Sequence, residues 1–166
     1  MFKAIVKPIF FKTKSQFIFK QAAWLLLTGA SLNVNVSSAF AQIVINQSTM
    51  IQPLIIEGMS GGSVAALEIT QTENTATGYC DGFANSQPNH ILEIDSYWQF
   101  LRLEVESDAD TTIMVQGSGG TWCNDDVSSA NPMIEGVWQP GIYKVWVGSY
   151  QAQSSNKYQI KITGQK

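Results

Sequence analysis

Three groups of residues have the types and spacing that chemistry asks for. Gly58-Met59-Ser60-Gly61-Gly62 matches, on paper, the Gly-x-Ser-x-Gly elbow that presents a serine nucleophile. Such a serine needs a base and an orienting acid, and the chain has a single histidine, His90. The elbow also needs a strand-to-helix turn, and no stretch carries the sustained 3.6-residue apolar period of a helix. A trypsin-like double barrel needs a far longer chain. The glycine run therefore reads as a structural turn and His90 as the start of a strand with its ring at the surface. A small serine hydrolase using Ser60 stands as a remote alternative.

The second group is acidic. Asp108 and Asp110 bracket one turn, and Asn124, Asp125 and Asp126 crowd another. Hard cations favour several such oxygens together, which makes calcium the natural candidate. The spacing does not fit an EF-hand loop, so a site would be assembled from separate loops. Asp and Asn also recur in turns because they bond their own backbone, which leaves plain turn chemistry as the other explanation. The third group is aromatic: Trp98, Trp122, Trp138, Tyr143, Trp146 and Tyr150. Exposed rings stack on sugars or anchor peptides, although most are expected in the core. In the run from Tyr143 to Val147 the odd-numbered residues share one face, which places Trp146 opposite them and open to exposure. Trp122 sits beside the acidic loop, and these two tryptophans are the candidates for a ligand-binding patch.

These groups sit on a chain built for export. Lys3, Lys7, Lys12, Lys14 and Lys20 precede an apolar stretch at 22–32 and Ala39-Phe40-Ala41, the order of a secretory signal peptide. That apolar stretch is far short of the roughly 20 residues that span a membrane. Cleavage after Ala41 leaves 125 of the 166 residues, enough for one domain. All 13 acids and only five of the ten bases lie after it, so the mature part carries a net charge of −8. An acidic domain with no basic stripe repels a phosphate backbone, and nucleic acid is not expected as a partner. Cys80 and Cys123 are the only cysteines, and in an exported chain such a pair reads as a disulfide. Secretion or the periplasm is the expected location, and a soluble monomer the expected state.

The elements that must position the candidates are strands. Short runs rich in Val, Ile, Tyr, Trp and Thr alternate with Gly, Asn, Asp, Ser and Pro clusters. The clearest is 97–105, where Trp98, Leu101, Leu103 and Val105 interleave with Gln99, Arg102 and Glu104. Further strands are expected at 53–57, 64–70, 90–94, 111–116, 133–137, 142–148 and 158–163, with a weaker edge strand within 42–52. The fold class is all-β, a single jelly-roll-like β-sandwich of about eight strands over 42–166.

Asn89-His90, Trp122-Cys123-Asn124-Asp125-Asp126, Asn131-Pro132 and the run from Pro140-Gly141-Ile142-Tyr143 to Gly148 carry a resemblance. Over 79–164 the chain resembles the bacterial pre-peptidase C-terminal domain, including its free-standing cyanobacterial forms. The resemblance implies a small exported β-sandwich with no chemistry of its own, which supports secreted peptidases and in some relatives binds calcium or a polymer. Here only the leader and a short segment precede the module, which counts against a role as an appendage in cis. A non-catalytic binding or accessory module is therefore expected, with an extracellular or periplasmic protein or polysaccharide as partner. The alternatives are a carbohydrate-binding module and a protease partner or inhibitor acting in trans.

Overall fold

The computed structural model describes residues 42–48, 50, 52–126 and 130–165, and the leader at 1–41 lies outside them. In chain order the elements are β1 (Gln42–Ile45), β2 (Leu54–Met59), β3 (Val64–Ala65), α1 (Ala66–Thr70), β4 (Asn74–Thr75), β5 (Gly78–Tyr79) and β6 (Phe83–Ala84). There follow β7 (His90–Ile94), β8 (Trp98–Glu106), β9 (Thr111–Gly117), β10 (Gly120–Asn124), β11 (Met133–Trp138), β12 (Gly141–Ser149) and β13 (Lys157–Gln165).

Two sheets hold the long strands. In the first, β12 is the centre: it pairs with β7, which carries β1, and with β9, which carries β10, while β6 and β3 extend it at Ser149. The second runs β11-β8-β13-β2 and is antiparallel throughout. Alternation decides how they meet. Leu92, Ile113, Val115, Tyr143 and Val145 of the first sheet and Leu101, Leu103, Val105, Ile160 and Ile162 of the second all enter one buried cluster. Two inner faces sharing one apolar core make a β-sandwich. The all-β expectation is met.

The outer face of the first sheet is not bare. Met114 and Trp146 point there and pack with Ala66, Ala84, Cys80 and Cys123 in a second, smaller core. α1 and the β4–β5 hairpin cover it, and the disulfide between Cys80 and Cys123, 43 residues apart in sequence, ties that cover to β10.

Two local readings change. The stretch 64–70 was expected as a strand, but only Val64 and Ala65 are extended and the rest is α1. Ala66, Leu67 and Glu68 are good helix formers, Thr70 bonds back to the Ala66 carbonyl, and Gln71 closes the turn with a positive φ of 59°. Conversely, no strand was expected between 116 and 133, yet residues 120–124 form β10. Its five residues lie between a glycine-rich turn and an Asx-rich one, too short to stand out, yet each pairs with a residue of β9.

Candidate functional site

The glycine-rich run does not build a nucleophile. Ser60 is 1% exposed. Its hydroxyl bonds the Ser149 hydroxyl at 2.9 Å and accepts the Asn156 amide at 3.3 Å. Gly61 has a positive φ of 83°, and a Cβ there would lie 1.9 Å from the Ser154 carbonyl oxygen, so glycine is required for the chain to pass. His90 is engaged elsewhere: its Nε2 shares a 2.7 Å hydrogen bond with the Tyr158 hydroxyl. Expected at the surface, the ring is instead half-buried, and burial lowers its pKa and raises that of the Tyr158 phenol. The serine and the histidine each serve the sandwich, and no base reaches Ser60 among the described hydrogen bonds.

The acidic residues part company. Asp108 lines a groove with Glu57, Glu106 and Lys157 at the end of the second sheet. Asn124 is 8% exposed and fully committed: its Nδ2 donates to the Thr77 carbonyl at 2.8 Å and its Oδ1 accepts the Met133 amide at 3.0 Å. Asn124, an expected cation ligand, thus serves as a staple between the hairpin and β11. Asp110 and Asp126 do lie within electrostatic reach of Asp125. Partial burial and then the charges of Asp126, Asp81 and Asp110 push the Asp125 carboxyl up to about 6. Its Oδ1 is buried without a hydrogen-bond partner. Partial burial and the Asp126 charge raise Asp110 as well.

Asp81 is the member that sequence reasoning missed. It follows Cys80, and the disulfide sets Cys80 against Cys123, two residues before Asp125. The signal was available, because the expected pairing of the cysteines carries their neighbours with it. Asp81, Asp110, Asp125 and Asp126 thus come from three separate connections, while Arg102, Lys144, Lys157 and Lys161 lie on β8, β12 and β13. Among the described residues the one salt bridge joins Arg102 to Glu135 on the second sheet, so it does nothing to relieve the acidic end.

The two tryptophans also divide. Trp146 is 4% exposed, because the face it occupies is covered by α1, the hairpin and the disulfide. Trp122 keeps partial exposure. It stacks on Trp138 with centroids 6.0 Å apart and planes 27° apart, and leans on Tyr143 at 6.2 Å. With Gly136 these rings line a small notch.

Fold and site together define a disulfide-braced β-sandwich with a buried serine and one acidic end. No family model matches the chain. An uncharacterized protein of Synechococcus elongatus is 28% identical over 144 residues, which cover 84% of this chain and 94% of that protein. Among solved structures, the pre-peptidase C-terminal domain of collagenase from Bacillus anthracis aligns with a TM-score of 0.46 and 10% identity. That alignment covers 75% of this chain and 97% of the domain.

Proposed function

We propose that the chain is an exported, non-catalytic binding module that works through the acidic end of its sandwich, with an extracellular or periplasmic partner. The carrying observation is the convergence at Asp125. Folding brings Asp81, Asp110 and Asp126 within electrostatic reach of a partly buried carboxylate, and that costs stability unless a positive charge arrives. Clustered carboxylates at the rim of a rigid fold suit reception of a cation, whether an ion or a partner's side chain. The accessory role implied by the resemblance over 79–164 agrees with a buried Ser60 and a His90 bonded to Tyr158.

Calcium is the proposed stabilising ion. Asp81 joins the expected donors, and Asn124 and Asp108 leave them. Among the described residues no three His, Cys, Asp or Glu side chains already stand together as a metal cage, so water must complete the ion's shell. One divalent ion would still leave four carboxylates with a net negative charge. Thermal unfolding with calcium and then with chelator tests this: a ligand of the folded state raises its stability. A calcium-dependent rise lost in Asp125→Asn supports the reading, and no shift at millimolar calcium removes the ion.

A second reading, carbohydrate binding, is favoured by one observation: Trp122 stays partly exposed beside the notch over Trp138 and Tyr143. Quenching of tryptophan fluorescence by a polysaccharide, lost in Trp122→Ala, supports it. A panel of polysaccharides without effect sinks it.

A further inference from the structure

The outer face of the first sheet carries a shelf of mixed polar and apolar lining next to the acidic end. Its eight lining residues come from the start of α1, from the 80–83 segment and from Tyr150. Leu67 is 45% exposed and Tyr150 54% exposed. Tyr150 is nevertheless anchored at its backbone, since its amide donates to the Asp110 carbonyl at 3.3 Å. Asp81 belongs to both features: it lines the shelf and lies within electrostatic reach of Asp125. Exposed Leu67 and Tyr150 therefore share the shelf with one carboxylate of the acidic end, Asp81.

We propose that this shelf docks a short basic and apolar segment of a partner polypeptide, an aliphatic side chain lying against Leu67 and Tyr150 while an arginine or lysine reaches Asp81. The proposal rests on the acidic end being the contact region. Charge complementarity selects the occupant: no base lines the shelf, and Asp110, Asp125 and Asp126 extend the negative field beyond it. A guanidinium can pair with a carboxylate through two hydrogen bonds and stack on a tyrosine face, and the shelf offers both side by side. Its size selects a segment over a folded domain, because a standard interface engages roughly 20–30 residues on each side.

The test is a titration of the purified, disulfide-bonded protein against fluorescent peptides, read by anisotropy at low and high salt. The probes are a nonapeptide alternating arginine with leucine, the same peptide with glutamate for arginine, and oligolysine. The arginine–leucine peptide is expected to bind and to weaken in salt, oligolysine to bind about tenfold more weakly, and the glutamate peptide not to bind. Tyr150→Ala and Asp81→Asn should each weaken the first peptide by about tenfold, on the scale of interface anchors. Both side chains are exposed, so unchanged thermal unfolding of the variants shows that the fold is intact. Equal affinity for oligolysine, indifference to Tyr150→Ala and Leu67→Ser, or no binding of any basic peptide overturns the shelf. If Asp125→Asn still weakens binding in the second case, the acidic end survives as the contact region. If that variant is silent too, the underlying reading falls with it.

Discussion

Replacing Asp125 by asparagine keeps the shape of the side chain and removes its charge. In the folded chain the carboxyl titrates at about 6, against 3.8 for an ordinary aspartate. At about 1.4 kcal/mol for each pH unit between those values the full penalty is about 3 kcal/mol. The carboxylate still reaches water, and screening brings this to roughly 1 kcal/mol. The sign follows from proton counting. Between pH 4 and 6 the folded state holds a proton that the unfolded state has lost, so stability falls as pH rises through that window. The penalty is absent below about pH 4 and complete above about pH 6. At pH 7 Asp125→Asn should therefore be more stable than the parent by about 1 kcal/mol, a rise in Tm of about 4 °C for a domain of this size. At pH 4 the two should melt together. The assay is calorimetry of the oxidised proteins from pH 4 to 7.5, without calcium and at low salt. The difference between the two proteins is the quantity to read, because contributions from other titrating groups cancel in it. Equal melting at pH 7 would show that neither burial nor neighbouring charge penalises the Asp125 carboxylate, and a gap that persists at pH 4 would show that its charge is not the cause.

His90 should impose the opposite slope. Burial lowers its pKa, so below pH 6.5 the unfolded chain binds the proton first and acidification costs stability. Melting curves of His90→Gln should lack that loss, and a parallel decline in both proteins would refute it. Asn124→Ala strips the partners from the Thr77 carbonyl and the Met133 amide and should cost about 2–3 kcal/mol in urea unfolding. Trp146→Ala empties most of the second core and should cost about 3–5 kcal/mol, whereas an exposed ring would cost almost nothing. Replacing both cysteines by alanine should cost about 2–4 kcal/mol, measured by denaturant titration.

Strand patterning at 97–105 was legible because period-2 alternation records a half-buried sheet directly, and β8 occupies Trp98–Glu106. The same logic placed Trp146 on the outer face of β12 correctly and still misjudged its exposure. Alternation reports which face a residue takes, and only tertiary structure reports what covers that face. The 64–70 stretch failed for a related reason: five helical residues are too few to show a period, and propensity alone separated them from a strand. At the acidic end, Asp110, Asp125 and Asp126 could be named from crowding in turns. Asn124 could not be told from its neighbours, because whether an amide faces an ion or a backbone depends on a hairpin nearly fifty residues upstream. Asp81 was hidden in plain view, isolated in sequence and made relevant by its cysteine.

That adjacency makes the disulfide more than a brace. Cys80 leads directly into Asp81 and Cys123 into Asn124-Asp125, so one covalent link fixes the spacing of carboxylates on opposite sides of the acidic end. A reduced chain keeps the same formal charge but loses the tether that focuses it. The spacing of the negative patch is thereby conditional on oxidising surroundings, because it persists only while the bond does.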